Sequence, residues 1–352
     1  MSSGDSLTLD EALVVLENHA AQADGVSTWP ASSWDALRRC GALGWIIPRE
    51  YDGSGLDPQE LLEGYQRLAG ACLTTCFLLS QRDSACRRLR DSGHEALCRR
   101  LLPDRASGQR FATVGLAQLT TSRQHVRPVL TARLDDGGVR LDGVMPWVTG
   151  APRADHFLTG VVLDDGRQML LVVPRDAAGM SVAPPMDLMA LQGSLTAEVR
   201  CNEVRVERQW ILAGPAEKVL ASGRGGADGL ETSGLALGLA KSAIAYLERE
   251  AKKRTEWQAR ATACAESWSA LQEQLRRLAR EGADAQAASN LRAKVNALVL
   301  RATQFALAAS KGSGFLRSHP AQRWARQALF FLVWSCPAPA LDATLACLAL
   351  PE

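Results

Sequence analysis

Val129-Leu-Thr-Ala-Arg-Leu134, Asp135-Asp-Gly-Gly138 and Val139-Arg-Leu-Asp-Gly-Val144 form the stretch on which the fold turns. Two runs that alternate apolar and polar residues flank an Asp-Asp-Gly-Gly segment able to supply the positive φ that a tight hairpin needs. The pattern recurs at once: Leu158 to Leu163, then Asp164-Asp165-Gly166, then Met169 to Val173, closed by Pro174, which cannot donate to a strand ladder. Val199 to Val206 alternates again and predicts a further strand. Short strands at this spacing predict a small barrel or sandwich between Phe111 and Ala213.

Outward from that segment the period changes to helical. Thr8-Leu-Asp-Glu11 has capping-box spacing, and Asp57-Pro58-Gln59-Glu60 combines the same box with proline at the first helical position, so helices begin near residues 9 and 58. Leu61, Leu62, Tyr65, Leu68, Cys72, Cys76 and Leu79 recur at three- and four-residue steps, the stripe of a single helix burying one face. Beyond Gly214, helical patterns over Leu235 to Glu250, Trp268 to Arg280, Ala287 to Ser310 and Pro320 to Trp334 predict an antiparallel four-helix bundle. The expected architecture is α+β, with a helical domain over 1–110, a β-domain over 111–213 and a bundle over 214–352.

A formal net charge of +2 over 352 residues offers no electrostatic footprint for nucleic acid. Lys252-Lys253-Arg254 reads as a solvated helix face. No apolar run is long enough to span a bilayer and no charged-then-apolar leader opens the chain, so a cytoplasmic protein is expected. The nine cysteines are odd in number and lack paired zinc spacing, which predicts reduced core thiols and no metal site.

Four segments, in order, resemble the acyl-CoA dehydrogenases. They are Gly41-Ala-Leu-Gly-Trp-Ile-Ile-Pro48 with Glu50-Tyr-Asp-Gly-Ser-Gly-Leu56; Asp142 to Ala151 around Trp147-Val148-Thr149; Leu191-Gln-Gly-Ser194-Leu-Thr196; and Gly312-Ser-Gly-Phe315 with His319-Pro to Arg326. The resemblance implies a subunit of N-terminal helices, a middle β-domain and a C-terminal four-helix bundle that clamp FAD. It places Trp147 against the flavin ring, with Val148 and Thr149 beside it. Ala117, Leu119 and Thr120 stand for the other half of the cradle, and Gly312, Ser313 and Gly314 for the turn at the adenosine half. Arg254 matches an arginine that reaches the pyrophosphate of a neighbouring subunit, which implies a homo-oligomer. The partners implied are an acyl thioester on CoA or a carrier protein and an electron-accepting flavoprotein.

The chain departs from that family where a proton must be taken from the carbon beside the thioester carbonyl. Ser335 stands where most members carry the glutamate that does this, and an unassisted hydroxyl is too weak a base near neutral pH. Glu231, at the start of the first bundle helix, is the candidate catalytic residue; Asp228 fits the family spacing better but is shorter, and a favourable charge at a helix N-terminus is the alternative reading of Glu231. The loop Leu119-Thr-Thr-Ser-Arg-Gln124 is shorter than its counterpart. Desaturation of a thioester, reduced-flavin-dependent oxygenation and non-catalytic flavin binding therefore stand as alternatives.

Overall fold

The computed structural model describes residues 6–120, 129–220, 229–334, 336 and 338–348. Asp228, Ser335 and residues 121–124 of the altered loop lie outside them. Helix α1 (Leu9–Gly25) opens on the expected box: the Glu11 amide donates to Thr8 Oγ1 at 3.3 Å, and the Thr8 amide donates to the Glu11 carboxylate at 2.8 Å. After α2 (Ala31–Arg39), α3 (Pro58–Ala71) repeats the device with Asp57 and Glu60 at 2.9 and 3.1 Å. Each box satisfies amides that a helix start leaves unpaired.

The apolar stripe from Leu61 to Leu79 is buried, but it does not belong to one helix. Cys72 adopts an extended conformation (φ −151°, ψ 100°) and separates α3 from α4 (Leu73–Asp91). The period survives because one non-helical residue only redirects the chain while both helices bury the same kind of face. Helix α4 buries side chains almost all round, from Leu73 through Ser80 and on to Leu89, so it runs through the centre of the molecule. Helix α5 (Glu95–Ala106) leads into the strands.

Those strands are β1 (Ala112–Gly115), β2 (Leu130–Asp135), β3 (Gly138–Val148), β4 (His156–Leu163), β5 (Gln168–Pro174), β6 (Met180–Val182), β7 (Ala197–Glu207) and β8 (Ile211–Ala216), with the single-turn helix α6 (Ala117–Thr120) after β1. Both predicted hairpins form: Leu134 faces Val139 across β2 and β3, and Val162 faces Gln168 across β4 and β5. The strands make one mixed sheet in the order β6-β7-β3-β2-β4-β5-β8, where alternation alone predicts antiparallel hairpins in a barrel or sandwich. Strands β1 and β2 both run parallel to β4, β1 from His156 and β2 at Val162. Parallel pairs need long crossovers, which local turn chemistry cannot announce. Strand β4 is buried on both faces, whereas β7 alternates buried and exposed residues as a strand with one wet face should.

The C-terminal part holds the four expected helices, α7 (Glu231–Ala251), α8 (Gln258–Glu281), α9 (Ala285–Ala309) and α10 (Pro320–Phe330). Helix α10 ends at Phe330, and turns carry the chain to Trp334. An unexpected fifth helix, α11 (Ala338–Leu348), packs on α9 with Ala340 and Thr344 buried. Helix α7 lies directly on α3: a Cβ at Gly238 would stand 2.3 Å from the Gln66 carbonyl oxygen, and Ser242 Oγ donates to the Gly70 carbonyl at 2.8 Å. One buried carboxylate ties all three parts together. Asp24, in the last turn of α1, accepts from the Leu191 amide at 2.9 Å, from Arg326 at 2.7 Å and from Gln327 at 2.8 Å. The cysteines are free thiols, buried except for the intermediate Cys40 and Cys336 and the exposed Cys347. No helix among the described residues is long and apolar enough to cross a membrane, and no cluster of metal-ligating side chains occurs among them.

Candidate functional site

The end of β3 carries the densest set of candidate residues. Strand alternation sends Val148 into the core and leaves the Trp147 indole 54 % exposed. Thr149 is buried; its carbonyl accepts from Thr113 Oγ1 at 2.7 Å, and its hydroxyl lies 3.4 Å from Thr196 Oγ1. Thr196 in turn stands 2.9 Å from Ser194 Oγ. The three hydroxyls form a buried chain on the turn after β3, and the Gly150 amide clamps it by donating to the Ser194 carbonyl at 2.8 Å. Gly150 has φ +70°, and a Cβ there would stand 2.6 Å from the Phe111 ring and 3.3 Å from Leu78 of α4. Only glycine meets both demands without strain.

Ala117, Leu119 and Thr120 lie on α6, beside β3 and β4. The neighbour that fixes them is Gln118, which pattern reading passes over. Its Nε2 lies within reach of the Gly115 carbonyl, Thr159 Oγ1 and the Gly160 carbonyl at 2.9, 3.1 and 2.8 Å, while its Oε1 is buried with no hydrogen-bond partner. Leu119 is buried against Gly160, whose added Cβ would stand 2.1 Å from it. An amide two residues before a threonine carries no motif; only the approach of β4 reveals its use.

Helix α4 connects this site to the bundle. Next to Leu78, Phe77 presents an edge to Phe330 and Trp334 at 5.0 and 4.8 Å, and those two rings stack at 5.1 Å with an interplanar angle of 9°. Beneath them Arg292 of α9 donates to the Phe331 and Trp334 carbonyls at 3.2 and 3.0 Å, and Asn296 donates to the same Phe331 carbonyl at 3.1 Å. Burial holds the Arg292 guanidinium down to about 10. Its Nε and Asn296 Oδ1 are buried without partners. A cation thus caps the turns after α10, next in sequence to the position where the family resemblance expects a carboxylate.

The carboxylates along α4 are engaged. Asp83 accepts from the Tyr65 hydroxyl at 2.6 Å and from Arg82, and burial pushes both the Asp83 carboxyl and the Tyr65 phenol above their ordinary values. Arg82 also donates to the Arg105 carbonyl, and Arg105 lies 2.6 Å from His156 Nδ1. Burial, with the Arg105 charge behind it, lowers His156 to about 4, so the ring is neutral and accepts. Glu231, the first residue of α7, pairs through Oε1 with Arg87 of α4, its side chain 15 % exposed. Arg87 lies about 13 Å along α4 from Leu78 at ~1.5 Å per residue, so Glu231 does not touch the β3 end directly.

Arg254 and the glycine turn lie together at the far end of α7. Arg254 donates to Glu250 at 2.9 Å and to the Ala309 carbonyl, and Ala309 closes α9 just before the turn Lys311–Phe315. Gly312 faces open space, whereas Gly314 is buried, an added Cβ meeting Ser310 at 2.6 Å. Lys252 and Lys253 are exposed, as a solvated run should be.

Comparison with known proteins bears on the fold. The family model "Acyl-CoA dehydrogenase, N-terminal domain" matches residues 12–109. "Probable acyl-CoA dehydrogenase YngJ" of Bacillus subtilis is 26 % identical over 248 residues, 68 % of this chain and 65 % of its own length. The chain thus matches just under two thirds of that relative. A glutaryl-coenzyme A dehydrogenase solved with glutaryl-CoA superposes with a TM-score of 0.84 at 18 % identity, over 98 % of this chain and 96 % of its own. KijD3, solved with FMN and a dTDP-linked amino sugar, superposes with a TM-score of 0.77 at 21 % identity, over 96 % and 91 %. At such identities the two structures establish the fold alone. The chain has the acyl-CoA dehydrogenase fold, and its residues 12–109 match the N-terminal domain of that family.

Proposed function

We propose that this chain is an FAD-dependent oxidoreductase that desaturates an acyl thioester carried on CoA or on a carrier protein. The observation that carries the reading is the half-exposed Trp147 indole beside the buried hydroxyls of Thr149, Thr196 and Ser194. A large apolar face at the mouth of a polar, fixed cluster suits a flat heteroaromatic ring. Trp147, Val148 and Thr149 would hold one side of the ring, and Ala117, Leu119 and Thr120 the other. Arg254 with Gly312, Ser313 and Gly314 would take phosphate and adenosine groups, the exposed Gly312 turn leaving room for close approach. For that, a phosphate must replace Glu250 on Arg254. Service by Arg254 to a neighbouring subunit's cofactor makes the protein a homo-oligomer.

When bound, FAD supplies the hydride acceptor for this chemistry. Glu231 is the proton acceptor in this reading: Oε1 is anchored by Arg87, and Oε2 has no hydrogen-bond partner among the described residues. Asp83 and Asp24 are buried and occupied. Electrons then pass to a separate flavoprotein. A second reading, oxygenation by reduced flavin, draws on the likeness to KijD3, which was solved with FMN.

The test is anaerobic mixing of FAD-reconstituted protein with butyryl-CoA and glutaryl-CoA. Bleaching of the oxidised flavin is expected, and Glu231→Gln should slow it by about 10²–10⁴-fold. An unchanged rate in that variant removes Glu231 from the chemistry. Turnover only with oxygen and a flavin reductase selects the second reading, and a protein that takes up no flavin sinks both.

A further inference from the structure

We infer that Arg87 is a positioning residue for the Glu231 carboxylate, an inference that rests on the proton-acceptor reading of Glu231. Glu231 is the first residue of α7, where a side chain ordinarily turns among several rotamers toward solvent. Here Arg87, 144 residues earlier and buried on α4, holds Oε1 from across the seam between the amino-terminal helices and the bundle. Asp83, one turn earlier on α4, is held by other groups, the Tyr65 hydroxyl and Arg82. One oxygen is thereby fixed and the other left open, the arrangement required of a base that must meet one C–H bond. The step it serves is a single proton transfer, from the carbon beside the thioester carbonyl to Oε2.

An orienting residue of this kind acts on the reacting geometry and leaves ground-state binding alone. A misplacement of about 1 Å can cost ~10²-fold in rate. Loss of Arg87 should therefore lower the limiting rate while leaving half-saturation in place.

The experiment uses the full chain reconstituted with FAD and reduced anaerobically with butyryl-CoA, as wild type, Arg87→Gln, Arg87→Lys, Glu231→Gln and the Arg87→Gln/Glu231→Gln double variant. In Arg87→Gln the limiting rate of flavin bleaching falls by about 10²-fold with half-saturation within about threefold of wild type, and Arg87→Lys recovers most of the loss. The same proteins without thioester, unfolded in urea, supply a second readout. The two single substitutions are non-additive, the second changing the unfolding equilibrium by less than about tenfold once the first is present. Wild-type bleaching in Arg87→Gln, a lysine variant no better than glutamine, or additive urea effects each overturn the inference. Full bleaching in Glu231→Gln overturns the proton-acceptor reading itself, and a wild type that butyryl-CoA cannot bleach leaves the urea cycle to decide the pairing.

Discussion

The two ends of α7 hold their charges in opposite ways. At the amino end, Glu231 is tied to Arg87 on a helix of another part of the chain, and both side chains are largely buried. At the carboxyl end, Arg254 is tied four residues back to Glu250, with a carbonyl of α9 as its second acceptor. The first pair exists only once the amino-terminal helices and the bundle meet; the second is nearly complete within one helix. Charge that crosses a seam reports on the assembled molecule, and charge within a turn reports on the helix.

The largest effect should follow from leaving Glu231 without its partner. Arg87→Met strands a mostly buried carboxylate and should cost about 3–5 kcal/mol in a urea or thermal unfolding experiment; a loss below ~1 kcal/mol would erase the contrast between the two ends. A second seam contact predicts a pH effect. His156 sits at about 4 in the folded chain against an ordinary 6.5, so the unfolded chain binds its proton more readily between those values. Stability is fully present above pH 6.5 and is lost by about 3 kcal/mol as pH falls toward 4. His156→Gln, which keeps an acceptor for Arg105, should flatten that part of the stability profile. Third, Gly238→Ala pushes a methyl toward the Gln66 carbonyl where α3 and α7 touch and should cost about 1–3 kcal/mol, read as a drop in the urea midpoint. Arg254→Ala, the local pair, should cost only about 0.3–1 kcal/mol.

The same contrast explains what could be read in advance. Both capping boxes and both hairpins are local devices, and they stand where their residues put them, at Thr8, Asp57, Asp135 and Asp164. The helix break at Cys72 has a weak signature: Gly70 lies two residues before it, still inside α3, and the cysteine turns the chain without losing the apolar period. The mixed sheet was hidden because β1 and β2 meet β4 in parallel, through crossovers that leave no turn signature. Helix α11 opens inside a Pro-Ala-Pro run, with Ala338 and Pro339 as its first two residues. Around the candidate site, Trp147 and Thr149 were visible because their spacing is short. Gln118, Arg87 and Arg292 were not, since each gains its use from a partner at least 39 residues away or from a fold of the sheet.

Asp24 fixes when the molecule can be finished. Its carboxylate joins the first helix to Arg326 and Gln327, more than 300 residues later, and to the backbone between them. The nascent polypeptide must therefore wait for residues 326 and 327 to emerge before its first described helix finds its lasting neighbours. Because the entropy of closing so long a loop grows only logarithmically with length, this late docking costs little in equilibrium stability and much in time.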